Sequence, residues 1–114
     1  MARNETPDMA HVRMTQITAL VLQAIASGHQ YGFDVMEACD LPSGTVYPVL
    51  RRLEKAGVLR SGWESEEEAF AAGRPKRRTY RLTTRGRDAL PEAEAKLDEV
   101  RRLLSQFGPH PKEA

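Results

Sequence analysis

Three residues, Asp40-Leu41-Pro42, separate two stretches whose apolar residues recur at helical spacing, and few folds accept so short a join between two amphipathic helices. Beyond the join, Val46, Val49, Leu50 and Leu53 follow the i, i+3, i+4, i+7 pattern of one buried face. That pattern predicts a helix from Ser43 to about Ala56, with Ser43 as its N-cap and Gly57 as its stop. Pro48 deletes one intrahelical bond if Ser43 is the cap, and falls in the tolerant first turn if Thr45 is. Before the join, Gly32, Val35, Met36 and Cys39 form one stripe of a shorter helix, from about Tyr31 to Cys39. Leu41-Pro42 ends it, because a residue preceding proline disfavours the α region. Two helices joined in this way form a helix-turn-helix unit, in which the second helix is the one that enters a DNA major groove.

The remainder of the chain builds around that unit. Residues 1–11 are polar and aperiodic and read as a flexible tail. From Val12 to Ser27 the pattern is helical: Met14, Ile17, Val21 and Ala24 share a face that Leu20, Leu22 and Ile25 broaden. An apolar face so wide needs burial on more than one side, against the C-terminal helix or a second subunit. Val58 to Glu64 reads as a strand with Leu59, Ser61 and Trp63 on one side, where Trp63 is expected to anchor the core rather than to stack on a base. Lys76 to Leu82 alternates as a second strand, and the residues between the two read as a long, loosely specified hairpin loop. Thr83 caps a last helix running from about Thr84 to Phe107, ended by Gly108-Pro109, with residues 109–114 as a second flexible tail. The expected fold is mostly α with a small β-hairpin: a winged helix-turn-helix over 12–86 and a long dimerisation helix over 87–108.

The net charge of +1 conceals a strong segregation. Glu64, Glu66, Glu67 and Glu68 are followed, over residues 69–87, by Arg74, Lys76, Arg77, Arg78, Arg81, Arg85 and Arg87 without one acid. Local excess of one sign attracts polyanions whatever the total. On the helix that begins at Ser43, the face opposite the apolar stripe carries Thr45, Tyr47, Arg51, Arg52 and Lys55. Hydroxyl and guanidinium groups in this position can reach phosphates and base edges. Such a face on an isolated helix is more often merely solvated, and a basic pentamer alone is often only a solubilising patch. Together they point to double-stranded DNA. The predicted contacts are Ser43, Thr45, Tyr47, Arg51 and Arg52 from the helix, with Arg74, Lys76, Arg77 and Arg78 from the hairpin tip.

In the last helix Leu90, Ala93, Leu97, Val100, Leu104 and Phe107 are spaced as an unbroken heptad seam. A helix of about 24 residues spans roughly 36 Å, more than the small domain before it can cover. The seam is therefore expected to be a homodimer interface, although it could also pack on its own domain. Two recognition helices one DNA turn apart, roughly 34 Å, would match a palindromic operator. A small aromatic effector is expected, if one is used, among Leu20, Val100, Leu104 and Phe107.

Other chemistry is poorly supported. The one cysteine, Cys39, sits on a predicted buried stripe, where an apolar filler is expected rather than a redox switch. His11, His29 and His110 are far apart, and no spacing suggests metal ligation or a paired nucleophile and base, so no enzyme activity, metal or cofactor is expected. No apolar run approaches the roughly 18 residues of a membrane span, and no signal-peptide core is present, so a cytoplasmic location without membrane attachment is expected.

The stretches Tyr31-Gly32-Phe33, Ser43-Gly44-Thr45-Val46-Tyr47-Pro48-Val49-Leu50-Arg51-Arg52-Leu53-Glu54-Lys55-Ala56-Gly57, Trp63-Glu64, Gly73-Arg74-Pro75-Lys76, Tyr80-Arg81-Leu82-Thr83 and Gly86-Arg87 resemble the PadR family of bacterial transcriptional regulators. The resemblance covers about residues 15–90. It implies a winged helix-turn-helix dimer that represses transcription, in the short form that dimerises through one terminal helix. On it, Ser43, Thr45, Tyr47, Arg51 and Arg52 match recognition-helix positions, and Arg74 to Arg78 match the wing. Two other readings remain: a DNA-binding regulator without a small-molecule pocket, and a winged helix used only for protein contact. The second of these has no need for cations at the hairpin beside Arg51 and Arg52.

Overall fold

The computed structural model describes residues 12–108, so the two expected tails lie outside the described residues. Helix α1 (Gln16–Ala26) starts later than its apolar pattern suggested. Thr15 is the N-cap, its Oγ1 accepting from the Thr18 N–H at 3.1 Å, and residues 12–15 are not helical. Helices α2 (Gly32–Cys39) and α3 (Ser43–Lys55) meet at the three-residue join, where Asp40 takes a left-handed conformation with φ of 56°. The Leu41 N–H then reaches back to the Met36 carbonyl at 3.0 Å, closing the end of α2. Ser43 is not the cap of α3: Pro42 holds that position, and its carbonyl accepts the first helical bonds from Thr45 and Val46. Pro48 therefore lies inside α3, one turn further in than a Thr45 cap would have put it.

Strands β1 (Leu59–Trp63) and β2 (Arg78–Leu82) pair antiparallel, Leu59 opposite Leu82 and Trp63 opposite Arg78. Residue pair Tyr31 and Thr79 adds an isolated bridge, which ties the start of α2 to the sheet. The connection between the strands is not a loose loop. It contains helix α4 (Glu66–Ala72), capped by Ser65, whose Oγ accepts from the Glu68 N–H at 3.0 Å, and stopped at Gly73. Glu66, Glu67 and Glu68 occupy its first turn, where carboxylates meet the positive end of the helix dipole. Trp63 is 60% exposed, not a core anchor, because β1 has left the domain body by its last residue.

The last helical stretch is interrupted. Helix α5 (Thr84–Asp88) and helix α6 (Leu90–Gln106) are separated at Ala89, since Pro91 has no N–H to return to the Arg87 carbonyl. Thr83 caps α5 and anchors it, its hydroxyl donating to the Gly57 carbonyl at 2.6 Å. Gly86 sits so close to the Val58 carbonyl that a side chain there would collide with it. The core unites Val21 and Leu22 of α1, Val35 of α2, Val46, Leu50 and Leu53 of α3, Val58 just before β1, Leu59 of β1, Tyr80 of β2 and Ala93 of α6. The wide apolar face of α1 is explained by this arrangement: one side meets α2 and α3, the other packs along α6.

Candidate nucleic-acid interface

Helix α3 buries Val46, Val49, Leu50 and Leu53 and turns its other face outward. Ser43, Arg51 and Arg52 on that face are exposed and Thr45 is half-buried. Arg51, Arg52 and Lys55, with Pro48 and Glu54, border an open groove of about 520 Å³. Among the described residues no carboxylate pairs with Arg51, Arg52 or Lys55, so their charge is available to an outside polyanion. Tyr47 is different from its expected role. Its ring lies over Gly32, with Cε1 and Oη about 2.5 Å from where a side chain at position 32 would begin. It is half-buried against the core, so its bulk locks α3 onto α2.

The basic run of the hairpin is largely satisfied from within. Glu64 is buried, and its carboxylate accepts from Arg74 Nη2 at 2.8 Å, Arg77 Nη2 at 3.1 Å and the Arg77 N–H at 3.2 Å. The hydrogen bond from Arg74, with those from Arg77, outweighs burial and holds the Glu64 carboxyl down at about 2 instead of 4.5. Arg77 also lies over the Tyr31 ring, 3.6 Å from its centroid. Lys76 approaches Glu66 at 3.9 Å. Arg78 donates to Ser61 Oγ at 2.8 Å, pairs with Glu54 at 3.7 Å and stands 5.2 Å from the Trp63 ring. Because Ser61 in turn donates to Glu54, a chain of polar contacts runs from α3 to the wing. All nine predicted contacts are thus on one domain, but the free positive charge is concentrated on α3, and the wing offers shape more than charge.

One pairing of cations escaped the sequence reading. Arg60 and Arg81 face each other across the strands, both exposed on the sheet face away from Ser61 and Tyr80. Like charges directly opposite are unfavourable unless an anion or solvent separates them. Only the strand register reveals this pair, since the two lie 21 positions apart in sequence.

The model of the PadR-like family of transcriptional regulators matches residues 21–92, from the second half of α1 through the wing to the start of α6. This chain belongs to the PadR-like family. Members are DNA-binding transcriptional regulators and not enzymes. The transcriptional regulator Rv3488 of Mycobacterium tuberculosis is 46% identical over 59 residues, 52% of this chain; the matched stretch spans about half, 50%, of that relative's length. A PadR family transcription regulator of Clostridium difficile superposes with a TM-score of 0.65 at 22% identity, covering 82% of this chain and 98% of the other. BpsR of Bordetella bronchiseptica, whose DNA binding is regulated by 6-hydroxynicotinic acid, superposes with a TM-score of 0.66 at 20% identity, covering 89% of this chain and 71% of the other.

In this PadR-like chain the heptad seam is divided. Ala93 is 0% exposed, filled on all sides by its own domain, so it is not available to a partner, contrary to its place in the expected interface. Leu90 and Leu97 also pack against the core of their own chain. The reason is the short gap to α1, whose second apolar side takes up the first half of α6. Val100 is half-buried, and beyond it α6 outruns the domain, leaving Leu104 62% and Phe107 75% exposed with Leu103 beside them. One chain alone therefore does not enclose Leu20, Val100, Leu104 and Phe107 as a pocket. No helix among the described residues is long and apolar enough to cross a membrane, and no group of three acidic, histidine or cysteine residues there could hold a metal ion. Cys39 is half-buried, its Sγ 3.5 Å from the Leu20 carbonyl, and burial pushes its thiol pKa up, away from reactivity.

Proposed function

We propose that this chain is a transcriptional repressor that binds a palindromic operator as a homodimer in the cytoplasm and is released by a small aromatic or drug-like effector. The observation that carries the reading is the pairing of two unsatisfied surfaces. Helix α3 presents Arg51, Arg52 and Lys55 without partners among the described residues, and the distal half of α6 presents Leu103, Leu104 and Phe107 to solvent. Val100, Leu103, Leu104 and Phe107 fall at i, i+3, i+4 and i+7, the stripe of a helix that packs on another helix. A second copy seated on that stripe buries it and brings a second α3 to the same side. DNA contacts then come from Ser43, Thr45, Arg51 and Arg52, with Arg74, Lys76, Arg77 and Arg78 at the flanks, where the first set reads bases and the second sets orientation. The effector pocket in this dimer is the space between Leu20 of one chain and Val100, Leu104 and Phe107 of both.

The test is sedimentation of the full chain followed by footprinting on the DNA flanking its own gene. The expected result is a dimer protecting two half-sites about one turn apart. A monomer, or protection of a single half-site, refutes the proposal. The alternative of a protein-contact module predicts no retention of duplex DNA at low ionic strength, whatever its sequence.

A further inference from the structure

A hollow of about 220 Å³ opens on the two-stranded sheet, lined by Arg60, Ser61, Gly62, Trp63, Thr79 and Arg81. Gly62 lies opposite Thr79 in the register and has no side chain, which leaves room beside the facing pair Arg60 and Arg81. Both arginines are exposed, and among the described residues neither makes an ion pair. The same wing carries a surface of the opposite kind. On α4, Glu66, Glu67 and Phe70 are spaced i, i+1 and i+4, so a helix sets the ring and two carboxylates on one face. All three are exposed, Phe70 at 88%, so the ring touches almost nothing in its own chain. Among the described residues Glu67 makes no ion pair, and Glu66 approaches only Lys76, at 3.9 Å. One exposed aromatic is ordinary on a soluble protein. A ring flanked by two carboxylates, beside a hollow flanked by two arginines, is a match in shape and in sign.

We infer that the wing docks on the wing of a second copy of this chain, Phe70 of each entering the hollow at Gly62 of the other while Glu66 and Glu67 pair with Arg60 and Arg81. In the hollow the ring meets Trp63 and the two guanidinium groups, contacts that aromatic and cation–π geometry favour. Each wing supplies both halves of the match, so a two-fold axis between two wings makes both contacts at once and closes the pair. A helix of seven residues against one sheet face is a small patch, and the association is weak in free solution. It uses neither the distal half of α6 nor the arginines of α3, so it joins the proposed α6 dimers in pairs. On DNA such a pair holds two operators, and each bound dimer raises the local concentration of the next. That consequence rests on the proposed function; the wing contact itself does not.

The test is sedimentation equilibrium of the full chain carrying Leu104→Lys, which removes the α6 stripe and isolates the wing, at low salt and up to millimolar concentration. Reversible pairing that weakens with added salt is expected, with a shift in the emission of Trp63, the single tryptophan. Phe70→Ser, Arg60→Glu and Glu67→Arg are each expected to weaken it about tenfold or more. Arg60→Glu sets a carboxylate opposite Arg81, a favourable cross-strand pair, so its effect is not loss of the sheet. Mixing the Arg60→Glu chain with the Glu67→Arg chain should restore pairing, because one contact is then parental and the other has its charges exchanged. In the chain with Leu104 intact, the same single substitutions should turn a dimer–tetramer equilibrium into dimer alone. No pairing at millimolar concentration, or a mixture that stays unpaired, overturns the contact. Pairing lost with Arg60→Glu but kept with Phe70→Ser places another acidic segment, such as residues 1–11, in the hollow and overturns it too. Wing pairing in a chain that ignores DNA, or whose remaining assembly is unchanged by Leu104→Lys, supports the contact and overturns the proposed function instead.

Discussion

Two glycines in helices make opposite demands, and replacing each by alanine separates packing from intrinsic helix preference. Alanine favours a helix over glycine by about 1 kcal/mol, so propensity alone predicts that Gly44→Ala and Gly86→Ala both stabilise the chain. At Gly44 an added Cβ meets nothing within 4 Å, so no collision opposes the preference. At Gly86 the same atom falls 2.2 Å from the Val58 carbonyl oxygen and 3.0 Å from Leu82 Cδ2. Ordinary C···O contact needs about 3.3 Å, so backbone must part by roughly 1 Å. The Val58 carbonyl cannot easily yield, because it accepts the Thr83 N–H at 3.1 Å at the point where α5 is fastened to β1. Overpacking of this kind costs about 3 kcal/mol at its upper end, leaving a net loss of about 2 kcal/mol after the helix preference is set against it. For a domain of this size that is a fall in Tm of about 8–16 °C for Gly86→Ala, against a rise of at most about 4–8 °C for Gly44→Ala. Thermal unfolding followed by far-ultraviolet circular dichroism, at one fixed protein concentration, reads both. A Gly86→Ala protein as stable as the parent would refute the close approach of α5 to Val58, and with it the seating of α6 against α1.

Arg51→Ala should lower affinity for the operator by about tenfold or more, and affinity for random duplex by much less, in parallel gel-shift titrations; equal losses would mean that Arg51 touches phosphate only. Leu104→Lys should give monomers in sedimentation and a Tm that no longer rises with protein concentration, because Leu104 is exposed in the single chain; Leu97→Lys should lower Tm at every concentration, because Leu97 packs on its own core. The wing should resist acid until unusually low pH. The Glu64 carboxyl is held at about 2 in the fold against an ordinary 4.5, so its contribution is complete above pH 4.5 and is lost as pH falls through about 2. Fluorescence of Trp63, the single tryptophan, should stay flat from pH 8 to 5 and change only below that; Glu64→Gln should remove the transition.

Local pattern alone determined much of this protein. The 3-and-4 spacing of Val46, Val49, Leu50 and Leu53, the proline-closed join after Cys39 and the alternation through Tyr80 each depend on side chains close in sequence, and each produced the element expected of it. Helix α4 was also legible, since Ser65 and Glu68 have the spacing of a capping box, but the run of glutamates and Ala-Ala-Gly read more readily as a solvated loop. What only the tertiary structure decided concerns charge and exposure, which depend on neighbours distant in the chain. Glu64 takes Arg74 and Arg77 out of an apparently free basic run across 10 and 13 positions, and Tyr47 turns from solvent to Gly32. The heptad seam is uniform in sequence, yet α1 covers its first half and stops short of its second. Periodicity names the face that must be buried; which body buries it is settled by the length and direction of the other helices.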